Sequence, residues 1–317
     1  MNPRAAVFCH NGLGDGVITL VLSQNLHLNG WKVHTYQNTI GSMQNWFPHL
    51  PVTSYPKIED LPNILSSYDW FFVAHNDTDP FVLKLIAEGK RRFPDRLKVI
   101  YLYPSPNIVN EPYYSDCQID PTLPIPENLQ RFCQNILHLS KVTSTNGFIP
   151  PEGLVYRKHK QRVVIHPTSA REGRNWPKLK FLKLAAFLKG QGYESIFVPG
   201  AQHLSEWQIE YPTRVFENLD ELARFIYESG FLIGNDSGLA HLASALGIPT
   251  LSISRRKAWA RFWRPGFATG VVVTPSSWIP NIRGFRLRDR QWKKFVTVGM
   301  VQRGFERLLQ VVEPASY

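Results

Sequence analysis

One stretch constrains this chain more than any other: Phe231-Leu-Ile-Gly-Asn-Asp-Ser-Gly-Leu-Ala-His-Leu-Ala-Ser-Ala-Leu-Gly-Ile-Pro-Thr-Leu-Ser-Ile253. An apolar run reaches Gly234-Asn235-Asp236. An alanine-rich segment follows Ser237-Gly238 and stops at Gly247, and a second apolar run begins after Pro249. The pattern reads as strand, tight turn, helix, strand, the unit of a parallel sheet. The turn sets Asp236, Ser237, Gly238 and His241 at a helix N-terminus, where free backbone N–H groups and the positive dipole end attract an anion. In a parallel α/β sheet that anion is expected to be a phosphorylated ligand.

The same alternation recurs along the chain. Strands are expected at Ala5–Cys9, Trp31–Tyr36, Trp70–Ala74 and Lys98–Tyr103, with helices at Asp15–Asn29, Pro80–Arg92 and Glu127–Leu139. Residues 104–126 are proline-rich and read as loop. Residues 142–160 read as an interdomain linker. Beyond it come strands Arg162–His166, Ser195–Pro199, Thr213–Phe216, Phe231–Asn235 and Thr250–Ser254. Helices Pro177–Gly190, Leu219–Glu228 and Gly238–Leu246 lie between them. The expected fold class is α/β: two Rossmann-like, doubly wound parallel-sheet domains, 1–150 and 151–317, facing a cleft.

Composition narrows the partners. The 317 residues are 43% hydrophobic and 19% charged, a globular balance, and the net charge is +11. That excess favours anionic partners. Cys9, Cys117 and Cys133 are odd in number and widely spaced, which fits a reducing compartment and no metal-ligand pattern. There is no cleavable leader pattern and no membrane-spanning apolar run. A cytoplasmic protein, peripheral at the inner membrane through charge, is expected.

Three further motifs carry chemistry. Asn11-Gly-Leu-Gly-Asp-Gly16 follows the first strand, but its glycines at 12, 14 and 16 match neither the dinucleotide fingerprint nor the Walker pattern. It displays one carboxylate, Asp15, at the ligand-binding edge of the sheet. Asp15 reads either as a general base or as a helix cap. His166-Pro-Thr-Ser-Ala-Arg-Glu-Gly-Arg-Asn-Trp-Pro177 offers the hydroxyls of Thr168 and Ser169 and the guanidiniums of Arg171 and Arg174, groups suited to phosphate oxygens. Pro177 is placed in the first turn of the next helix. Arg255-Arg-Lys-Ala-Trp-Ala-Arg-Phe-Trp-Arg264 interleaves basic and aromatic residues, and Arg283–Arg290 is a second basic stretch. Stacking on bases, a membrane surface, an acidic acceptor or plain solvation would each explain them.

Taken in order, the Gly-Leu-Gly-Asp loop, the Trp-Pro after the basic loop and Asp-Ser-Gly-x-x-His-x-Ala resemble glycosyltransferase family 9, which includes the heptosyltransferases of lipopolysaccharide synthesis. The resemblance spans roughly residues 5–255 and a closing helix at Val296–Leu309. It implies a GT-B fold and inverting sugar transfer from a nucleotide diphosphate donor, most readily a heptose from ADP-heptose. The acceptor would be a glycan or glycolipid hydroxyl. Asp15 would be the base, with Gly12 and Gly14 in the acceptor-side loop. Thr168, Ser169, Arg171, Arg174, Asp236, Ser237, Gly238 and His241 would hold the donor. It implies no metal, no cofactor and no nucleic acid. Two positions differ from the family pattern: Arg174 stands where a lysine is usual. Leu204 stands where an acid for the donor ribose is expected, with Glu206 the nearest replacement.

Overall fold

The computed structural model describes residues 2–75, 80–101, 120–282 and 285–313. The outer end of the predicted strand Lys98–Tyr103, Cys117, Arg283 and most of the predicted loop 104–126 lie outside them. The chain divides into two compact units, Met1–Pro151 and Glu152–Tyr317.

The first unit holds five parallel strands in the order β3-β2-β1-β4-β5. They are β1 (Arg4–Phe8), β2 (Lys32–Tyr36), β3 (Val52–Thr53), β4 (Trp70–His75) and β5 (Leu97–Tyr101). Helices α1 (Leu13–Leu28), α2 (Leu61–Ser67) and α3 (Pro80–Arg92) are the crossovers, and α4 (Ile125–Asn135) follows. Strand order reverses between β1 and β4, so the loop after β1 sits at a topological switch point, where ligands of open α/β sheets bind. Helix α1 is buried on nearly all sides, from Gly14 through Leu26. A helix apolar all round must be enclosed all round. Its own amides do part of the enclosing. The Asn25 side chain bonds both ways with Thr143, and Asn29 Oδ1 accepts from the backbone of Ser140 and Lys141. Ile149 N–H donates to Trp46 O, and Phe148 stacks on Phe47. Residues 140–149, which overlap the start of the expected linker 142–160, thus pack onto the first unit.

The second unit repeats the plan with order β10-β9-β8-β6-β7. Its strands are β6 (His159–His166), β7 (Glu194–Phe197), β8 (Ser229–Asn235), β9 (Thr250–Ile253) and β10 (Gly270–Val273). Its helices are α5 (Lys178–Gly190), α6 (Leu219–Tyr227), α7 (Gly238–Ala245), α8 (Lys257–Phe262), α9 (Leu287–Arg290), α10 (Trp292–Phe295) and α11 (Val298–Val312). Here the switch point lies between β6 and β8. Both expected ligand loops of this unit follow those two strands. The core joins Val163, Ile165, Phe181, Phe197, Phe231, Ile233, Val301 and Phe305, all essentially inaccessible. Each such side chain contributes roughly 1.5–3 kcal/mol of burial. The two parallel sheets agree with the fold class expected from the alternation.

Local departures have local causes. Thr213–Phe216 forms only an isolated bridge, Thr213 to Phe197, instead of a strand. Pro177 is the extended cap residue of α5, one position before its first turn. Residues 125 and 126 already belong to α4, with a proline in its first turn.

Candidate functional site

In the first unit β1 delivers the glycine loop. Gly12 N–H donates to His10 Nδ1 at 3.0 Å. Asp15 Oδ2 lies 3.5 Å from the same His10 Nδ1. The Asp15 side chain is 15% exposed and lies in the first turn of α1, where the helix dipole favours its anion. Asp15 is not the cap residue: that position is taken by Gly12. A methyl group at Gly12 would come within 2.2 Å of Asp15 Oδ2, so the glycine makes room for the carboxylate.

Gln37 holds this loop. It is fully buried, and its Nε2 donates to His10 O and Gly12 O at 3.0 and 3.3 Å. Its Oε1 accepts from the N–H of Thr39 and Ile40 at 2.6 and 2.7 Å. All four bonding positions of the amide are used. Thr39 Oγ1 also donates to Asn11 O at 2.6 Å.

In the second unit Asn235 has the corresponding role. It ends β8, fully buried, with Nδ2 donating to Pro167 O at 2.7 Å and Oδ1 accepting from Trp176 N–H at 2.9 Å. It fixes both ends of the 167–176 loop. Sequence reading passed over Gln37 and Asn235. For Asn235 the available signal was an amide closing an otherwise apolar run, since a buried amide must find partners; Gln37, among polar neighbours in Thr35-Tyr-Gln-Asn-Thr39, carried no such signal.

Within that loop Thr168 is buried and its Oγ1 accepts from Gly200 N–H at 2.8 Å, leaving its own proton to donate. Ser169 differs from expectation. Its Oγ lies 2.9 Å from Arg171 O and 2.7 Å from Asn175 Oδ1, both acceptors. Its single proton is spent inside the loop, so it shapes the loop rather than donating outward. Arg171 is exposed, and Arg174 ends a short 3-10 turn, Glu172–Arg174. Trp176 is buried with Nε1–H on Val296 O. Lys180 Nζ reaches the carbonyls of Lys293, Lys294 and Val296.

The loop after β8 meets this one. Gly234 pairs with His166, and a methyl group there would strike His166 O at 2.6 Å, so only glycine allows the close approach at the switch point. Asp236 N–H continues the ladder to Ile253 O at 3.1 Å. Burial pushes its carboxyl up to about 6, against the opposing charge of Arg174 and a hydrogen bond from Ser254. Ser237 is the extended cap residue of α7, yet its buried Oγ makes no capping bond and no other bond among the described residues. His241, one turn into α7, is 1% exposed, with Trp263 edge-on at 5.3 Å. Burial lowers it to about 4, so the ring is neutral, and neither nitrogen has a partner among the described residues. The structure thus brings Arg174, Asp236, Ser237 and His241 to one strand–helix junction. The N–H groups of Gly238 and Leu239 open the helix there without intrahelical acceptors. Buried polar atoms without partners need a reason, and a hydrogen-bonding anion supplies one.

Glu206 lies on the 3-10 stretch Ala201–Trp207, exposed and 3.3 Å from His203 Nδ1. Leu204 lies on the same stretch. No group of three or more His, Cys, Asp or Glu among the described residues is arranged to hold a metal ion.

Residues 137–265, which include the basic loop and the whole β8–α7 junction, match the family model described as "Glycosyltransferase family 9 (heptosyltransferase)". Over those residues the chain resembles glycosyltransferase family 9. A curated relative, lipopolysaccharide heptosyltransferase 1 of Campylobacter coli, is 30% identical over 117 residues, 32% of this chain and 34% of the relative. The chain thus aligns with about a third of that relative's length. Among solved structures, the family 9 glycosyl transferase of Veillonella parvula superposes with a TM-score of 0.68 at 16% identity, covering 98% of both chains. ADP-heptose lps heptosyltransferase II of E. coli gives 0.63 at 16% identity, with 98% and 99% covered. E. coli heptosyltransferase WaaC with ADP gives 0.65 at 14% identity, with 96% and 99% covered. At these identities the likeness is one of fold, the GT-B class, and this chain shares it over nearly its full length.

Proposed function

We propose that this protein is an inverting glycosyltransferase that moves a sugar, in the first instance heptose from ADP-heptose, onto a hydroxyl of a lipopolysaccharide-type acceptor. The observation that carries the reading is the junction of β8 and α7. The buried Oγ of Ser237 and the buried ring of His241, without hydrogen-bond partners among the described residues, stand there beside the helix N–H groups and within the field of Arg174. That chemistry suits a diphosphate or sugar hydroxyls. The names of related heptosyltransferases that bind ADP or ADP-heptose support the choice of donor.

In this reading Asp15 accepts the proton of the attacking acceptor hydroxyl. The new O–C bond forms at the anomeric carbon as the bond to the diphosphate oxygen breaks on the opposite face, which inverts the centre. The leaving nucleoside diphosphate takes the bonding electron pair. Thr168 O–H, the guanidiniums of Arg171 and Arg174 and the N–H groups of Gly238 and Leu239 stabilise it. These groups supply positive charge, so we propose transfer without a metal. The basic surface is assigned to an anionic acceptor at the inner leaflet, with a cytoplasmic location.

The test is a thermal-shift panel of ADP, UDP, GDP, CDP and their sugar conjugates, followed by product analysis with and without acceptor. ADP is expected to stabilise selectively, with ADP-heptose consumed only when acceptor is present. Selective stabilisation by another nucleotide moves the donor elsewhere, and Leu204 in place of an acid favours that second reading. Turnover without acceptor would indicate a sugar-nucleotide hydrolase or epimerase instead. Asp15→Asn is expected to reduce kcat by about 10²–10⁴-fold with donor affinity retained; unchanged turnover would remove Asp15 from the role.

A further inference from the structure

The chain's charge is concentrated in one place. Residues 255–294 hold eleven of the 36 lysines and arginines and one of the 25 acids, so they account for +10 of the net +11. The single acid, Asp289, is buried and engaged: its Oδ2 lies 3.1 Å from Arg256 Nε. The remaining cations have no carboxylate within the segment.

The same segment exposes its apolar side chains. Trp278 is 95% exposed, Ile282 68% and Phe285 53%. They lie within eight residues on the excursion 276–290, between β10 and α10. The excursion is tied at its base. Asp289 N–H donates to Asn281 Oδ1, Arg288 N–H to Pro280 O, and Phe285 N–H to Ile282 O across an antiparallel bridge. Cations flank the tryptophan: Lys257 Nζ lies 3.4 Å from Ser277 Oγ and Arg288 Nη1 3.4 Å from Ser277 O. A tied loop with an indole, an isoleucine and a phenylalanine exposed, and with Lys257 and Arg288 beside Ser277, matches the chemistry of a bilayer interface. Indoles settle at headgroup depth and basic residues bind anionic lipid phosphates. A single-stranded nucleic acid would use aromatic rings as stacking platforms, a role that Ile282 cannot fill. No helix among the described residues is long and apolar enough to cross a membrane, so the contact would be a surface one.

We propose that the described parts of this excursion, residues 276–282 and 285–290, form a docking wedge for an anionic lipid bilayer. Trp278, Ile282 and Phe285 enter the headgroup region while the flanking cations, Lys257 and Arg288 among them, bind lipid phosphates. The proposal rests on the reading that the acceptor is membrane-borne and assigns that contact to one surface.

The experiment is sedimentation of the full chain with vesicles of phosphatidylcholine alone or with phosphatidylglycerol. Binding is expected only with phosphatidylglycerol and weakens as salt rises. The variant Trp278→Ser/Ile282→Ser/Phe285→Ser is expected to keep its Tm and lose affinity by about tenfold or more. Lipids brominated in the acyl chain are expected to quench the native tryptophan emission more than that of Trp278→Phe. Equal vesicle binding by the triple variant, or equal quenching in Trp278→Phe, overturns the wedge. So does tight binding to RNA or heparin with none to vesicles. Nucleotide-induced thermal shifts, measured without lipid, report the transferase reading separately. Their loss would undo that reading and leave vesicle binding to be judged alone.

Discussion

At Gly12 an added methyl would lie 2.2 Å from Asp15 Oδ2, a side-chain atom that can swing away. Gly12→Ala should therefore leave stability nearly unchanged and displace the proposed base. The expected outcome is a Tm within a few degrees of native and kcat lowered by about tenfold or more, read by calorimetry beside a transfer assay. Gly234 presents the opposite case, because its methyl would strike the backbone oxygen of His166, which cannot move alone. Asn235 acts through bonds rather than space. Asn235→Ala strands the buried N–H of Trp176 and removes the donor to Pro167 O. A loss of about 2–3 kcal/mol in urea unfolding is expected, together with weaker nucleotide binding as the 167–176 loop loosens. Unchanged stability would mean that Asn235 does not fix the loop.

At the scale of the β8–α7 element, two titrations oppose each other. Asp236 is raised from its ordinary 3.8 to about 6, so its contribution is complete below 3.8 and is lost as pH rises through about 6. His241 is lowered from 6.5 to about 4, so its contribution is complete above 6.5 and is lost as pH falls through about 4. Between about 4 and 6 the slopes offset. Each displacement corresponds to roughly 3 kcal/mol of pH-dependent stability. Asp236→Asn should leave a protein that loses stability on acidification more steeply than native. His241→Gln should leave one that loses stability as pH rises. Melting curves across this range measure both, and parallel profiles for all three proteins would refute the assignment. A nucleoside diphosphate bound at the junction should add its own pH dependence, since its negative charge favours protonation of Asp236.

At the scale of the molecule, each unit has its own sheet and its own core. Residues 152–317 are long enough to bury a core of ordinary size. Expressed alone, they are expected to unfold cooperatively and to keep nucleotide-induced stabilisation; a chain that stays unfolded would mean that the first unit is needed for the second. The sequence alone determined the strand–helix alternation, the parallel sheets and the turns that carry Asp15, Thr168, Arg174 and Asp236, because periodicity and turn chemistry act over neighbouring residues. The short elements β3, β10, α8, α9 and α10 were not legible, since two to six residues, many of them basic, show no period. Only the tertiary structure decided that Gln37 and Asn235 hold the two loops, from partners as far as 27 and 68 residues away. It also decided that Ser169 spends its proton inward and that Trp278, Ile282 and Phe285 stand in solvent. Burial and hydrogen-bond partnership arise between segments distant along the chain, and no local pattern encodes them.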